Sequence, residues 1–296
     1  MNILRQLHII AIALILSGCE THENKPMKNV SPSLNYRKNG HALVNGLNMY
    51  YEIYGSGFPL VLIHGGGSTI NTSWRKMIPL FAKDHQVIAI ETQAHGRSDD
   101  RDAPETFEQD ADDINALLDF LKIDSSDIMG FSNGGSTSLQ MAIRHPKKVR
   151  KVVAISALCS RDGVQDGFWS FMEKGTFNDM PQIYKDGFLK VNNDSVKLYN
   201  MYHKDSQRML NFKDWDEQSI KSISCPVLLL GGDKDVIKPA HLLKLSTLIS
   251  NSRLCILPGH HGEFMGEASY PHQKEEIINA TSAIISHFLT DEDSLK

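Results

Sequence analysis

Gly130-Phe131-Ser132-Asn133-Gly134-Gly135 is the stretch that most narrows what this chain can become. It follows a short apolar run, Ile128-Met129, and leads into a helical pattern from Ser136 to Arg144 that Pro146 ends. A G-x-S-x-G sequence between a strand and a helix makes a turn so sharp that the neighbours of the serine must be small, hence glycine on both sides. The turn pushes the Ser132 hydroxyl outward. It also aims the N–H groups and positive dipole end of the following helix at the same spot. On its own the pattern recurs by chance. Its position between strand and helix makes Ser132 the leading candidate for a nucleophile.

The flanking sequence supplies the sheet that such a turn needs. His41–Val44, Asn45-Gly46 and Leu47–Tyr54 read as a β-hairpin, because Asn-Gly tolerates the positive φ angles of a tight I′ turn. Further strands are predicted at Leu60–Ile63, Val87–Ile90, Ile128-Met129, Val149–Ile155, Val227–Leu230 and Leu254–Leu257. Helices are predicted at Trp74–Phe81, Phe107–Leu121, Ser136–Arg144 and Gln273–Phe288; Ile114, Leu117, Leu118 and Leu121 keep the helical period in the second. Strands alternating with helices give an α/β fold, a largely parallel sheet covered on both faces. Residues 158–222 break the alternation. They hold ten of the chain's 23 aromatic residues and no strand-like run, and they read as a helical cap inserted into the sheet domain. The core is therefore expected to comprise residues 37–157 and 223–290, with 291–296 an acidic, frayed tail.

Composition excludes some classes. The chain is 41% hydrophobic and 22% charged, with a formal charge of −4 and no Lys/Arg block or zinc-finger spacing, so nucleic-acid binding is not expected. The first residues differ in kind. Arg5 is the one charge before a run from Leu7 to Leu16 that is apolar apart from His8. Such a run is too short to span a bilayer, which takes about 20 residues, and it has the length of a secretory signal. It closes on Leu16-Ser17-Gly18-Cys19, which resembles the bacterial lipobox, whose cysteine carries a diacylglycerol after cleavage. Residues 1–18 are thus expected to be a signal peptide. Cys19 would carry the lipid, and residues 19–36, polar with Pro26 and Pro32, would be a flexible tether to a membrane on its extracytoplasmic side. Cys159, Cys225 and Cys255 are too few and too widely spaced for a disulfide framework.

The remaining motifs carry chemistry. His64-Gly65-Gly66-Gly67 follows a predicted strand. Glycine backbone can approach a substrate closely, so the N–H groups of Gly66 and of Asn133, just after the serine, are the expected donors to a developing oxyanion. His64 reads as a residue that holds this loop. A neutral serine is a poor nucleophile unless a histidine takes its proton and a carboxylate orients that histidine. Asp233 or Asp235 could supply the carboxylate from Gly231-Gly232-Asp233-Lys234-Asp235, after one strand. His260 or His261 could supply the imidazole from Leu257–Gly262, after the next. Two adjacent histidines diverge, so no metal pair is expected, and no motif calls for a cofactor.

Together His64-Gly65, Trp74, Glu91-Thr-Gln-Ala-His-Gly-Arg-Ser-Asp99, Gly130–Gly135, Cys225-Pro226-Val227, Gly232-x-x-Asp235 and Pro258-Gly-x-His261 make residues 41–288 resemble the α/β-hydrolase fold family, specifically its capped ester and small-substrate hydrolases. The resemblance implies a mostly parallel eight-stranded sheet with helices on both faces and a helical cap after the sixth strand. It implies that the acid is Asp235, the Asp of G-x-x-D. It implies that the histidine is His261, since Pro-Gly-x-His-Gly recurs among such hydrolases. The run 91–99 departs from the family at Glu91, Gln93 and Ala94, where Asp, Arg and Gly are commoner; the loop reads as structural, so this departure is expected to touch substrate fit more than chemistry.

A serine nucleophile sets aside the haloalkane dehalogenases and epoxide hydrolases of this fold, which use Asp. The expected function is hydrolysis of a small, largely uncharged carboxylic ester through an acyl-enzyme, in an apolar cleft walled by cap aromatics. Carbon–carbon bond hydrolysis of a diketone, amide or peptide hydrolysis, and acyl transfer stay open. So does a surface lipoprotein that only binds.

Overall fold

The computed structural model describes residues 38–270 and 272–292. The expected signal peptide, Cys19 and the tether lie outside the described residues. The strands are β1 (Lys38–Val44), β2 (Leu47–Tyr54), β3 (Phe58–Ile63), β4 (His85–Ile90), β5 (Ser126–Phe131), β6 (Val149–Ile155), β7 (Val227–Gly232) and β8 (Ser252–Leu257). They form one sheet in the order β1-β2-β4-β3-β5-β6-β7-β8. Only β2 runs against the rest, antiparallel to β1 and to β4; the other pairings are parallel. The hairpin turns at Asn45 and Gly46, with φ of 46° and 79°, as Asn-Gly demands. Strands β5 and β7 are buried throughout, and β6 everywhere but Arg150. Strand β8 is the edge and is half open to solvent.

The helices of the core are α1 (Ile70–Trp74), α2 (Ile78–Phe81), α3 (Phe107–Phe120) and α4 (Asn133–Arg144). Four more, α5 (Phe168–Lys174), α6 (Gln182–Val191), α7 (Ser195–Leu210) and α8 (Glu217–Lys221), are inserted between β6 and β7. They are followed by α9 (Pro239–Leu248) and α10 (Glu275–Thr290). The single helix expected over Trp74–Phe81 is two short ones. Thr69 caps the first through a capping box with Thr72. Pro79 in the first turn of the second has no N–H to bond back across the break. Helix α4 begins three residues before the expected Ser136, because it grows straight out of the turn: the Ser136 N–H donates to Ser132 O at 3.1 Å.

The inserted helices sit on the loop between β4 and α3. Lys204 Nζ donates to Asp100 Oδ1 at 2.7 Å and to the carbonyls of Arg101 and Ala103. The Asn200 side-chain amide also reaches Asp100, and that of Asn192 reaches Gly96 O. Ala94 packs with Phe188, Leu198 and Met201 of the insertion. The unusual run 91–99 therefore seats the cap. Among the described residues none of it lines the cleft under the cap, in keeping with the structural role expected of this loop.

A buried guanidinium completes the seat. Arg208 of α7 donates to Glu105 at 2.5 Å and to Asp110 at 2.9 Å. Burial pushes the Glu105 carboxyl up to about 7 and that of Asp110 up to about 6, against the pull of Arg208. Because Glu105 titrates higher in the folded chain than its ordinary 4.5, the stability it contributes is full at low pH and is lost as pH rises toward about 7. Glu105→Gln should therefore gain on the wild type between pH 5 and pH 8, by about 1–3 kcal/mol. Urea denaturation at both pH values reads this; a difference that stays constant with pH would show that Glu105 does not titrate in this range.

Candidate active site

Ser132 ends β5 and begins the turn into α4 with φ 56° and ψ −119°. This left-handed conformation is costly for a residue with a Cβ. It is held because the Ser132 N–H donates to Ile155 O on the neighbouring strand at 2.8 Å. The turn is too tight for any side chain at Gly130, where a Cβ would fall 1.9 Å from Gly134 O.

The structure brings His261 and Asp235 to this serine from two other loops. His261 Nε2 is 2.9 Å from Ser132 Oγ, and His261 Nδ1 is 2.7 Å from Asp235 Oδ1. Asp235 is buried and fully engaged. Its Oδ1 also accepts from the Ile237 N–H at 3.0 Å, and its Oδ2 accepts from Ser156 Oγ at 2.6 Å and the Gly232 N–H at 3.3 Å. Burial pushes the Asp235 carboxyl up, but His261 and these donors outweigh it and hold the group below the usual range. An ionised Asp235 fixes the imidazole proton on Nδ1, leaving the Nε2 lone pair to accept the serine proton. Asp233 and His260 are turned to other work. Asp233 Oδ1 accepts from the Gly259 N–H at 2.8 Å, and the half-exposed His260 ring lies 3.5 Å from Glu263.

Gly66 and Asn133 line the same cleft as Ser132 and His261. Asn133 opens α4, so its N–H is one of those left without an intrahelical partner. The loop of Gly66 is fixed by His64, whose Nδ1 donates to Gly65 O at 2.7 Å while Nε2 accepts from the Thr92 N–H at 3.2 Å. Burial first, and then the neighbouring His95, hold His64 well below the usual range and so neutral. A Cβ on Gly66 would fall 2.5 Å from Asp205 Oδ2 and 2.6 Å from Asn133 Nδ2.

Two residues of this site carry no signal in the sequence. Ser156, at the end of β6, supplies a hydroxyl to Asp235. Asp205, on the face of α7 that looks down from the cap, accepts from the Asn133 side-chain amide at 2.9 Å. Both are isolated polar residues whose partners lie more than seventy positions away.

The cleft between cap and sheet holds about 360 Å³. Four of the ten cap aromatics wall it: Phe168, Phe171, Tyr184 and Tyr202. The others pack elsewhere, Phe188 for one in the cap's own small core. Among the described residues no Lys or Arg lines the cleft; its carboxylates are Asp179 and Asp205. An outward serine hydroxyl, an imidazole placed to take its proton and the backbone N–H groups of Gly66 and Asn133 beside them make an arrangement capable of acyl transfer. Gly66→Ala should push the loop off Asp205 and Asn133 and cost on the order of 10²-fold in turnover of p-nitrophenyl acetate. Wild-type turnover in a folded variant would remove Gly66 from the chemistry.

Comparison with known proteins bears on the fold and its relatives. A family model for the alpha/beta hydrolase fold matches residues 59–219. The chain is 38% identical over 107 residues to a 2-hydroxymuconate semialdehyde hydrolase of Pseudomonas sp. (strain CF600), a stretch that covers 35% of this chain and 38% of that protein. It is 26% identical over 265 residues to a 2-hydroxy-6-oxo-6-(2'-aminophenyl)hexa-2,4-dienoic acid hydrolase of Metapseudomonas resinovorans, covering 81% of this chain and 88% of the relative. Among solved structures, the enol-lactonase from Burkholderia xenovorans LB400 superposes with a TM-score of 0.68 at 22% identity, over 85% of this chain and 100% of that one. The eight-stranded sheet, the turn at Ser132 and a family match over more than half of the residues lead to one conclusion: the chain belongs to the α/β-hydrolase fold family.

Proposed function

We propose that the protein is a serine hydrolase that cleaves small carboxylic esters through an acyl-enzyme on Ser132. The observation that carries this reading is the continuous hydrogen-bonded line from Ser132 Oγ through His261 to Asp235 at the floor of the cleft. Ser132 Oγ attacks the ester carbonyl carbon as His261 Nε2 takes its proton. The N–H groups of Gly66 and Asn133 hold the oxyanion. The tetrahedral adduct collapses, the C–O bond to the alcohol breaks, and the alcohol oxygen leaves with the proton from His261. Water then enters with His261 as base, and the acyl group departs as the acid, restoring the Ser132 hydroxyl. Asp235 stays ionised throughout and stabilises the imidazolium.

The cleft favours an ester over the substrate class of the relatives. The dienoic acid in the name of the Metapseudomonas resinovorans relative is an anion at neutral pH. A cleft with two carboxylates and no cationic side chain is poorly suited to hold one. The apolar walls suit a short or medium acyl or aryl arm, and one added methylene should change transition-state binding by about 1–3 kcal/mol at most.

Ser132→Ala should abolish covalent labelling by a fluorophosphonate and lower turnover by about 10⁴-fold or more, with the fold intact. His261→Ala should be far more damaging than His260→Ala. Undiminished labelling of Ser132→Ala, or the reverse order of the two histidines, would overturn the assignment. A panel of p-nitrophenyl esters, an amide and a diketone decides the bond class, and efficient cleavage of the diketone alone would replace the ester reading.

The same proposal includes a lipid anchor. What supports it is the sequence from Arg5 to Cys19, with an apolar run too short to span a bilayer and a cysteine after Leu-Ser-Gly. Cys19→Ser should block lipid attachment and release the protein from membranes. Mass spectrometry of the native N-terminus that found unmodified Met1 would sink the anchor and leave the hydrolase reading untouched.

A further inference from the structure

We propose that the esters turned over in this cleft carry a positively charged ammonium group close to the scissile carbonyl, and that Asp205 selects them. The proposal rests on the ester reading above and narrows it to esters that carry a cation. The carboxylate of Asp205 hangs from cap helix α7 over the oxyanion loop. Its Oδ1 accepts from the Asn133 amide at 2.9 Å, and its Oδ2 lies 2.5 Å from where a Cβ on Gly66 would be. Gly66 and Asn133 are the residues whose N–H groups are assigned to the oxyanion. A fixed negative charge there opposes the negative charge that develops on the substrate oxygen, and does so more strongly as water is excluded.

Arg208, which forms an ion pair with Asp205, does not cancel it. Arg208 Nε is 3.9 Å from Asp205 Oδ1. The same guanidinium is engaged more closely by Glu105 at 2.5 Å and Asp110 at 2.9 Å. Arg208 is thus held away from Asp205 by two closer partners, and among the described residues no Lys or Arg lines the cleft. A substrate ammonium would bring a positive charge into the cleft beside Asp205. It pairs with Asp205 on binding and attracts the oxyanion as that forms, so its help grows toward the transition state. Tyr202, one turn before Asp205 on α7, also lines the cleft and offers an aromatic ring to a cation. A neutral ester leaves Asp205 with no counter-charge in the cleft, and an anionic one adds a second like charge.

Matched substrates isolate the charge. L-Alanine benzyl ester and benzyl 2-methylpropanoate differ only in an ammonium group in place of a methyl, and monobenzyl succinate brings an anion. For the purified full-length chain, kcat/KM for each ester is measured at about pH 6.5, where the alanine ester is an ammonium ion, and is divided by its second-order rate constant with hydroxide at that same pH, which removes intrinsic reactivity. The ammonium ester should then lead the neutral one by roughly tenfold or more, with the succinate last. In Asp205→Asn the ammonium ester should slow and the neutral ester should speed up, so that their ratio falls by roughly tenfold. Asp205→Glu should keep the preference for the cation. Asparagine retains an acceptor for Asn133, and Arg208 keeps Glu105 and Asp110; fluorophosphonate labelling reads the fold of each variant. Parity of the corrected ammonium and neutral rates in the wild type overturns the inference whether or not the variants fold. So does an equal loss on both esters in Asp205→Asn. In either case neutral-ester turnover leaves the ester reading standing. A wild type that labels at Ser132 yet cleaves none of these esters sinks the ester reading and this inference with it.

Discussion

The structure turns on the backbone of Ser132. A residue with a Cβ in the left-handed region costs on the order of 1–3 kcal/mol and persists only where its surroundings leave no alternative. Here they leave none. The preceding strand is buried along its length, the Ser132 N–H is tied to Ile155 O, and α4 starts at the next residue. Ser156, at the end of the neighbouring strand, has φ 51° and its hydroxyl holds Asp235. Two strained serines at adjacent strand ends thus belong to one hydrogen-bonded assembly. The stability of the sheet centre holds that strain and exposes one hydroxyl to the cleft while burying the other.

The cap meets this centre through a different kind of contact. Its seat on the core combines a small apolar cluster around Ala94 with buried charge, Arg208 against Glu105 and Asp110. Buried ion pairs add little net stability, because desolvation consumes most of the Coulombic gain. The upward displacement of both carboxyls is the mark of that cost. Their consequence is geometric. They fix the face of α7 that carries Tyr202, Asp205 and Met209 over the cleft. Sheet loops deliver the Ser132–His261–Asp235 line, and the cap delivers the wall that a substrate meets.

Much of this was legible in the sequence where the signal is local. Runs rich in β-branched residues such as Val149–Ile155 marked strands, Asn45-Gly46 marked the hairpin, and the glycines around Ser132 marked the turn. The misreadings have local causes too. Helix α9 went unread although Pro239 at its first position marks a start; Lys238 at its N-cap adds no side-chain capping bond. Asp235 and His261 could be placed by resemblance, but which of two neighbouring side chains faces the serine depends on where loops from β7 and β8 end. The pairing of Gly232 with Leu257 sets that point. Asp205 and Ser156 were beyond reach, since only the assembled fold brings them near Asn133 and Asp235.

A second pair in this protein shows why proximity of a nucleophile and a histidine is not sufficient. Cys159 Sγ lies 3.6 Å from His241 Nε2. Yet the Cys159 N–H donates to that same nitrogen at 3.2 Å, occupying the lone pair that would receive a thiol proton. Burial pushes the thiol up to about 12 and His241 down to about 4, so proton transfer from one to the other is opposed on both sides. At Ser132 the histidine faces the cleft, and its far nitrogen rests on a carboxylate whose charge three further hydrogen bonds sustain. An imidazolium formed there has a counter-charge waiting; one formed at His241 has a hydroxyl 3.4 Å away. What sets the Ser132–His261 pair apart from Cys159–His241 is that hydrogen-bonded carboxylate and its donors.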